Sequence, residues 1–226
     1  MKFSLIVCTY MRPKAIVTLL NSVKEQTLYP DEIIVVDGSI NKDTQDLLLS
    51  KTFKNLTYFL IEEKFRGLTK QRNFGISKVA TNSEIVCFLD DDTILKSNYF
   101  EELIKTFVNK QIIGVGGISI NENRWKLKKE YQAYPKKNYY ELDGYIIKES
   151  LRNIIRNYLG LQSDKLPGVM PDFSNGRTYS YPLNGKTYEV DLLIGMSFSF
   201  RKKYLIKLIS QHTLRVMDCM KMQILV

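Results

Sequence analysis

Histidine is nearly missing from this chain of 226 residues: His212 is the only one, and it falls in a tail whose pattern departs from the rest, so it is given no catalytic role. Cysteine is also sparse. Cys8, Cys87 and Cys219 are an odd number, far apart and without CxxC spacing, which disfavours a disulfide framework and a zinc site. Cys8 and Cys87 read instead as small buried hydrophobes. No apolar run is long enough to span a bilayer, no Pro/Gly/Ser-rich linker divides the chain, and no internal repeat or low-complexity tract occurs. The first residues, Met1-Lys2-Phe3-Ser4-Leu5-Ile6-Val7-Cys8, lead into Thr9-Tyr10-Met11-Arg12-Pro13 without a small-residue cleavage site. They read as a first strand rather than a signal peptide, and a cytoplasmic protein is expected.

What is present is ordinary globular composition, 44% hydrophobic and 25% charged, with a formal net charge of +9. One domain over residues 1–226 is the expectation. The positive balance implies attraction to anions, whether nucleotide phosphates, an anionic lipid surface or nucleic acid, and charge alone does not choose among them.

Strand-like runs at Phe3–Cys8, Glu32–Val36, Leu56–Ile61 and Glu84–Leu89 alternate with helical spacing, a pattern that predicts a parallel α/β sheet. Ile16, Leu19, Leu20 and Val23 share one helix face, as do Phe100, Leu103, Ile104 and Phe107. Asn98 with Glu101 reads as a capping pair for the second of these helices. Open parallel sheets bind ligands at the carboxyl ends of their strands, where this sequence puts Thr9-Tyr10, Asp37-Gly38-Ser39 and Asp90-Asp91-Asp92. Three adjacent acids repel one another unless a cation sits among them. A hard divalent ion shared with substrate phosphates offsets that repulsion and points to a nucleotide enzyme.

Ile112–Ile120, with Gly114, Gly116 and Gly117, reads as another strand. Regularity then fades from Asn121 to about Glu189, where Arg124, Lys126, Lys128, Lys129, Lys136 and Lys137 mingle with Trp125, Tyr131, Tyr134, Tyr139 and Tyr140. Ser174-Asn175-Gly176 and Leu183-Asn184-Gly185 are consistent with hairpins. This insertion is either a solvated flap or an acceptor-choosing surface whose aromatics stack on sugar faces and whose lysines attract phosphate or anionic lipid.

Four pieces of sequence resemble the inverting glycosyltransferases of family 2, with the GT-A fold: Ser4–Arg12, Ile33–Ser39, Gly67–Ile76 and Phe88–Asp92. A fifth, Gly195–Lys202, resembles that family's acceptor-side segment, and together the pieces cover most of Met1–Tyr204. The fold implied is a Rossmann-like, mostly parallel sheet with helices on both faces. Residues 1–120 would be the nucleotide-sugar-binding half, 121–189 the irregular acceptor-side region and 190–226 an incomplete acceptor half with an aberrant tail. The resemblance implies that Thr9, Tyr10, Arg12, Asp37, Arg72, Asp90 and Asp91 surround a nucleoside-diphosphate sugar. Asp90 and Asp92 would hold Mn²⁺ or Mg²⁺, and Gly195 and Met196 would face the acceptor, joined by Trp125 of the unmatched insertion as an aromatic that can stack on a sugar. It further implies UDP as the commonest carrier and a glycan or lipid-linked acceptor; the basic insertion adds an expected peripheral contact with an anionic membrane, while nucleic acid, which would rest on net charge alone, is not expected. A sugar-1-phosphate nucleotidyltransferase or a dinucleotide dehydrogenase would need a Gly-rich loop after the first strand, where Thr9-Tyr10-Met11-Arg12-Pro13 stands instead.

The pattern breaks at the general base. An inverting transfer needs one within reach of the acceptor hydroxyl, and the family supplies an Asp, usually preceded by Glu, shortly after the acceptor-side segment. Here Leu208–Val226 has no Glu-Asp pair, and Asp218 is its only acid. Read one base out of frame, Met217 to Gln223 encodes Gly-Leu-Tyr-Glu-Asp-Ala, with His open in place of Tyr and Asn in place of Asp. A frameshift between Tyr204 and His212, natural or from sequencing, is therefore expected, along with a binding-competent but catalytically damaged chain. The alternative is a paralogue that binds a nucleotide or glycan without turnover.

Overall fold

The computed structural model describes residues 1–172, 176–193, 195–205 and 221–225. It divides into two compact units, one of Met1–Val115 with Gly195–Met220 and one of Gly116–Ile194 with Lys221–Val226.

The first unit is built on β1 (Phe3–Thr9), β2 (Glu32–Asp37), β3 (Leu56–Leu60), β4 (Ile85–Asp90), β5 (Ile112–Gly117) and β10 (Ser197–Arg201). Their order across the sheet is β3-β2-β1-β4-β10-β5. The pairs β1–β2, β1–β4 and β2–β3 are parallel and β10 runs antiparallel to β4, so the sheet is mostly parallel, as the alternating pattern predicts. Continuous β-branched and aliphatic runs suit strands buried on both faces: Leu5, Ile6, Val7, Ile33, Ile34, Val35 and Val36 are all at most 1% exposed.

Helices cover both faces because alternate residues of each strand point oppositely. On one face α3 (Leu68–Lys78) lies so close that a methyl group added to Gly75 would sit 2.7 Å from Ile6 Cγ2. Ile6, Ile34, Val36, Val86 and Phe88 form the core there. On the other face Phe3 meets Phe100 of α4 (Tyr99–Thr106), ring centroids 5.1 Å apart. The stripes read from the sequence are buried: Ile16, Leu19, Leu20 and Val23 on α1 (Pro13–Lys24), and Phe100, Leu103, Ile104 and Phe107 on and just after α4. Helix α2 (Asp43–Leu49) makes the β2–β3 crossover. Antiparallel β10 is fixed by Arg201, whose guanidinium donates to the carbonyls of Phe107, Asn109 and Ile112.

The expected Asn98–Glu101 capping pair does not form. Asn98 occupies the N-cap of α4, but its backbone (φ −102°, ψ 11°) is not the extended one a capping side chain needs, and it makes no side-chain cap bond. Glu101 turns instead to Thr27 and Lys105.

The second unit holds a small antiparallel sheet, β6 (Lys126–Leu127), β8 (Tyr145–Lys148) and β7 (Tyr139–Leu142) in that order, with α5 (Leu151–Tyr158) after it. Its β7–β8 turn is Asp143-Gly144, both at positive φ (52° and 79°), the two-residue turn that Asp-Gly favours. A further pair joins β9 (Thr187–Val190) antiparallel to β11 (Lys221–Leu225). Leu183-Asn184-Gly185 does turn the chain just before β9, with Gly185 at φ 72°, whereas most of Ser174-Asn175-Gly176 lies outside the described residues.

Candidate active site

Strands β2 and β3 lie to one side of β1 and the parallel β4 lies to the other, so the order in which the strands are laid down reverses between β1 and β4. Carboxyl ends flanking such a switch point open a crevice. In register, Cys8 pairs with Asp90 and Thr9 with Asp37, which brings the three rim segments level.

The acidic row divides by direction. Asp91 turns inward, its side chain 6% exposed, and accepts hydrogen bonds from Thr9 Oγ1 (2.6 Å) and Arg12 Nη1 (2.7 Å). Asp90 and Asp92 face outward at 41% and 56% side-chain exposure. Arg12 Nη1 also reaches Asp92 Oδ2 at 3.0 Å, while Arg72 Nη2 donates to Asp90 Oδ1 and to the Gly195 carbonyl, both at 3.2 Å. Phe198 supports Arg72 from below, ring centre 4.8 Å from the guanidinium. Three carboxylates thus meet two guanidiniums, and one negative charge is left over. Desolvation pushes the Asp90 carboxyl above the usual carboxylate value. Arg72 opposes that rise, and Asp92 and Asp91 add to it.

At the β2 end, Asp37 is fully buried and accepts from Ser39 N (2.8 Å), Ser39 Oγ (2.5 Å) and Tyr58 Oη (2.7 Å). Ser39 Oγ in turn accepts from Met11 N, which ties the β1 loop to the β2 loop. Gln71 of α3 spans the same two strand ends, its Nε2 donating to the carbonyls of Thr9 and Val36 at 3.0 Å each. Burial, and then Asp37, raise the Tyr58 phenol far above its ordinary value, so Tyr58 stays a proton donor. Tyr10 lies exposed beside this floor.

Of the residues singled out from sequence, Thr9, Arg12, Asp91 and Asp92 form one bonded cluster. Arg72, Asp90, Gly195 and Met196 form another, the Met196 carbonyl accepting from Asp90 N at 3.0 Å. Asp37 joins through Ser39 and Met11. Trp125 is placed elsewhere: it is 8% exposed inside the second unit, edge-on to Tyr140 and Tyr179, with Nε1 donating to the Ser180 carbonyl. Its ring is core, not an open face. Sequence reasoning overlooked Ser39, Tyr58, Gln71 and Phe198. Ser39, Gln71 and Phe198 stood inside segments already singled out, whereas Tyr58 lay in a strand-like run with nothing to mark it as part of the site.

Among the described residues no three carboxylate, thiol or imidazole groups converge closely enough to cage a cation by themselves. Two outward carboxylates with a surplus negative charge nevertheless fit an ion of the Mg²⁺ type, which takes one or two protein carboxylates and completes its shell with substrate phosphates and water.

A mostly parallel six-stranded sheet, flanked by helices and opening an acidic crevice at its switch point, is the GT-A class of fold. The sequence profile of glycosyl transferase family 2 matches residues 4–208, and the chain belongs to that family. It is similar to the O-antigen chain rhamnosyltransferase RfbN of Salmonella typhimurium, 31% identical over 52% of this chain and 37% of that protein. It is also similar to the GalNAc(5)-diNAcBac-PP-undecaprenol beta-1,3-glucosyltransferase of Campylobacter jejuni, 30% identical over 58% of this chain and 42% of that protein. In both cases the match spans less than half the relative's length. Among solved structures, the mannosyltransferase PcManGT of Pyrobaculum calidifontis, in complex with GDP-Man and Mn²⁺, shares the fold with a TM-score of 0.54 at 18% identity. That match covers 92% of this chain and 46% of PcManGT. Among the described residues, no helix is long and apolar enough to cross a membrane.

Proposed function

We propose that residues 1–120 hold a nucleoside-diphosphate sugar, with UDP as carrier. The enzyme would pass the sugar with inversion to a glycan or lipid-linked acceptor, on the cytoplasmic side of an anionic membrane. The observation that carries this reading is the row Asp90-Asp91-Asp92 interleaved with Arg12 and Arg72 at the β1/β4 switch point. Thr9 and Tyr10 flank the nucleotide, and Asp37 lies under its base, where a carboxylate already holding Ser39 and Tyr58 keeps lone-pair capacity for one more donor. Arg12 and Arg72 would turn to diphosphate oxygens, which the guanidinium fork can bind in pairs as it binds a carboxylate. Asp91 positions Thr9 and Arg12 from beneath. Asp90 approaches the ribose and, with Asp92, would hold Mn²⁺ or Mg²⁺. That ion would act as a Lewis acid toward the charge on the departing diphosphate.

Residues 121–189 would serve the acceptor side and 190–226 the remainder of the acceptor half. Gly195 and Met196 border the acceptor through their backbone, beside Arg72 and Asp90. Trp125 contributes by holding the aromatic core of that region. Inversion requires a base on the acceptor hydroxyl. The position expected for it, beyond Tyr204, lies among residues 206–220, outside the described residues.

A second reading, a paralogue that binds without turnover, is favoured by one observation: Leu208–Val226 carries a single acid, Asp218, and no Glu-Asp pair. Donor binding would then outlast transfer. A thermal-shift panel of nucleoside diphosphates with and without Mn²⁺ tests the donor site. Saturation at a hundred times Kd is worth about 2.7 kcal/mol by mass action. Stabilisation by UDP that disappears on chelation and in Asp92→Asn supports the reading, and silence with every nucleotide refutes it. Metal-dependent binding without transfer selects the second reading, and sequencing the gene across codons 204–223 decides the frameshift.

A further inference from the structure

Helix α5 is amphipathic in the inverse sense. In an ordinary surface helix the apolar stripe faces the core and the polar stripe faces water. Here the buried residues are Asn153 and Arg156, one turn apart. Asn153 Nδ2 donates to the buried carboxylate of Glu149 at 2.8 Å, and Arg156 donates to the Leu161 carbonyl. The opposite stripe, at i, i+4, i+7 and i+8, is Leu151, Ile155, Tyr158 and Leu159, exposed at 80%, 59%, 60% and 65%. The helix is well formed, its N-cap Ser150 accepting from Asn153 N, so the exposure does not come from a frayed end. Four neighbouring large apolar side chains facing water mark an interaction surface.

The charges around this stripe identify its partner. Lys148 and Arg152 are exposed at its N-terminal end, and the Lys137 ammonium sits 4.4 Å from the centre of the Tyr158 ring. Between Lys148 and Leu161 the one acid is Glu149, which is buried and held by Arg177, Asn153 and Tyr179. The strand β6 that pairs with β8, just before the helix, adds Lys126, and the adjoining Lys129 is exposed. The neighbouring sheet region also exposes Glu130 and Glu141, the latter paired with Lys128, but the helix itself carries only cations beside its apolar stripe, the arrangement of a helix that lies in the headgroup region of an anionic bilayer. We infer that α5 is a membrane-docking element: Leu151, Ile155, Tyr158 and Leu159 enter the acyl boundary while Lys137, Lys148 and Arg152 meet anionic headgroups. This inference gives a location to the membrane contact named above, on which it rests, and is independent of the donor chemistry.

Co-sedimentation of the whole chain with phosphatidylcholine vesicles, with and without phosphatidylglycerol, tests it. The chain is expected to bind the anionic vesicles, to be released by salt, and to lose at least about tenfold in partitioning in the Leu151→Glu/Ile155→Glu variant. Arg152→Gln should lose about fivefold. Nucleotide-induced thermal stabilisation, measured on the same samples, should be unchanged in both variants, which separates failure of this inference from failure of the donor site. No binding to anionic vesicles, equal binding to neutral ones, or undiminished binding by the double variant overturns the inference. A dimer in light scattering that the double variant dissociates also overturns it, assigning the stripe to a second copy.

Discussion

The two units solve the same problem, filling an interior, by opposite means. In the first, aliphatic side chains on parallel strands meet the apolar faces of helices. The charges of its site sit at the rim, where Asp90, Asp92, Arg12 and Arg72 keep access to water. In the second, Ile146, Ile147 and Val190 share the interior with tyrosine, tryptophan and a buried ion pair. Arg177 Nε donates to Glu149 Oε1 at 2.9 Å, with both side chains nearly inaccessible, and Arg177 lies over the Tyr140 ring at 4.2 Å. Tyr179 and Asn153 donate to the second Glu149 oxygen, and Tyr181 stacks on Tyr188 with centroids 4.0 Å apart. The lesson is one of tolerance. A greasy core forgives loss of a methyl group in proportion to its volume, whereas a polar core fails as a set once one partner goes.

The sharpest way to break this comparison is Glu149→Ala, which strands Arg177, Asn153 and Tyr179 together. It should cost about 3–5 kcal/mol, read as a lowered urea midpoint with amide protection lost first in residues 116–193. If Glu149→Ala is no worse than a surface change, the network is not what holds the second unit. Next in size, Gly75→Ala in the first unit drives a methyl group against Ile6 and should cost about 1–3 kcal/mol through overpacking. The same urea titration measures it, and a neutral result would mean that α3 can shift away from β1.

The smallest effect concerns the thiols. Burial pushes both Cys8 and Cys87 up to about 12; for Cys8, Arg72 opposes the rise and Asp90 and Asp91 add to it, and for Cys87 the Ser199 hydroxyl opposes it. The folded state therefore holds these protons more tightly than the unfolded chain, whose thiols titrate near 9.0. Their contribution is constant below that value, and stability falls as pH rises from there toward about 12. At neutral pH, in a Cys219→Ser background, the buried Cys87 should not react with a disulfide reagent until urea is added, and the partly buried Cys8 should react more slowly than a free thiol. Prompt labelling of Cys87 would show the first core to be more open than its packing implies.

The contrast also explains what was legible in the sequence. The β1–β4 runs and the α1 and α4 stripes could be read because burial on a sheet or helix imposes a period of about two or 3.6 residues. The rim carboxylates followed, since each ends such a run. The second unit has no such period: its interior is made by side chains reaching across long separations, as when Trp125 meets Tyr179 or Arg177 meets Glu149. Trp125 therefore read as an exposed stacking face when it is core. Asp143-Gly144 was the one strong local signal there and was passed over for Asn-Gly pairs. At the site, the identity of the acids was legible but their orientations were not. Which of Asp90, Asp91 and Asp92 turns inward depends on Thr9 and Arg12, some eighty residues away.

Gln71 has a further consequence. A single side-chain amide braces the ends of β1 and β2, and Gly38 packs against that amide closely enough that a methyl group there would press on it at 3.3 Å. Two loops that would otherwise wander are spliced to one helix. A molecule settling between them would find its berth already cut and would spend little of its affinity on ordering the protein.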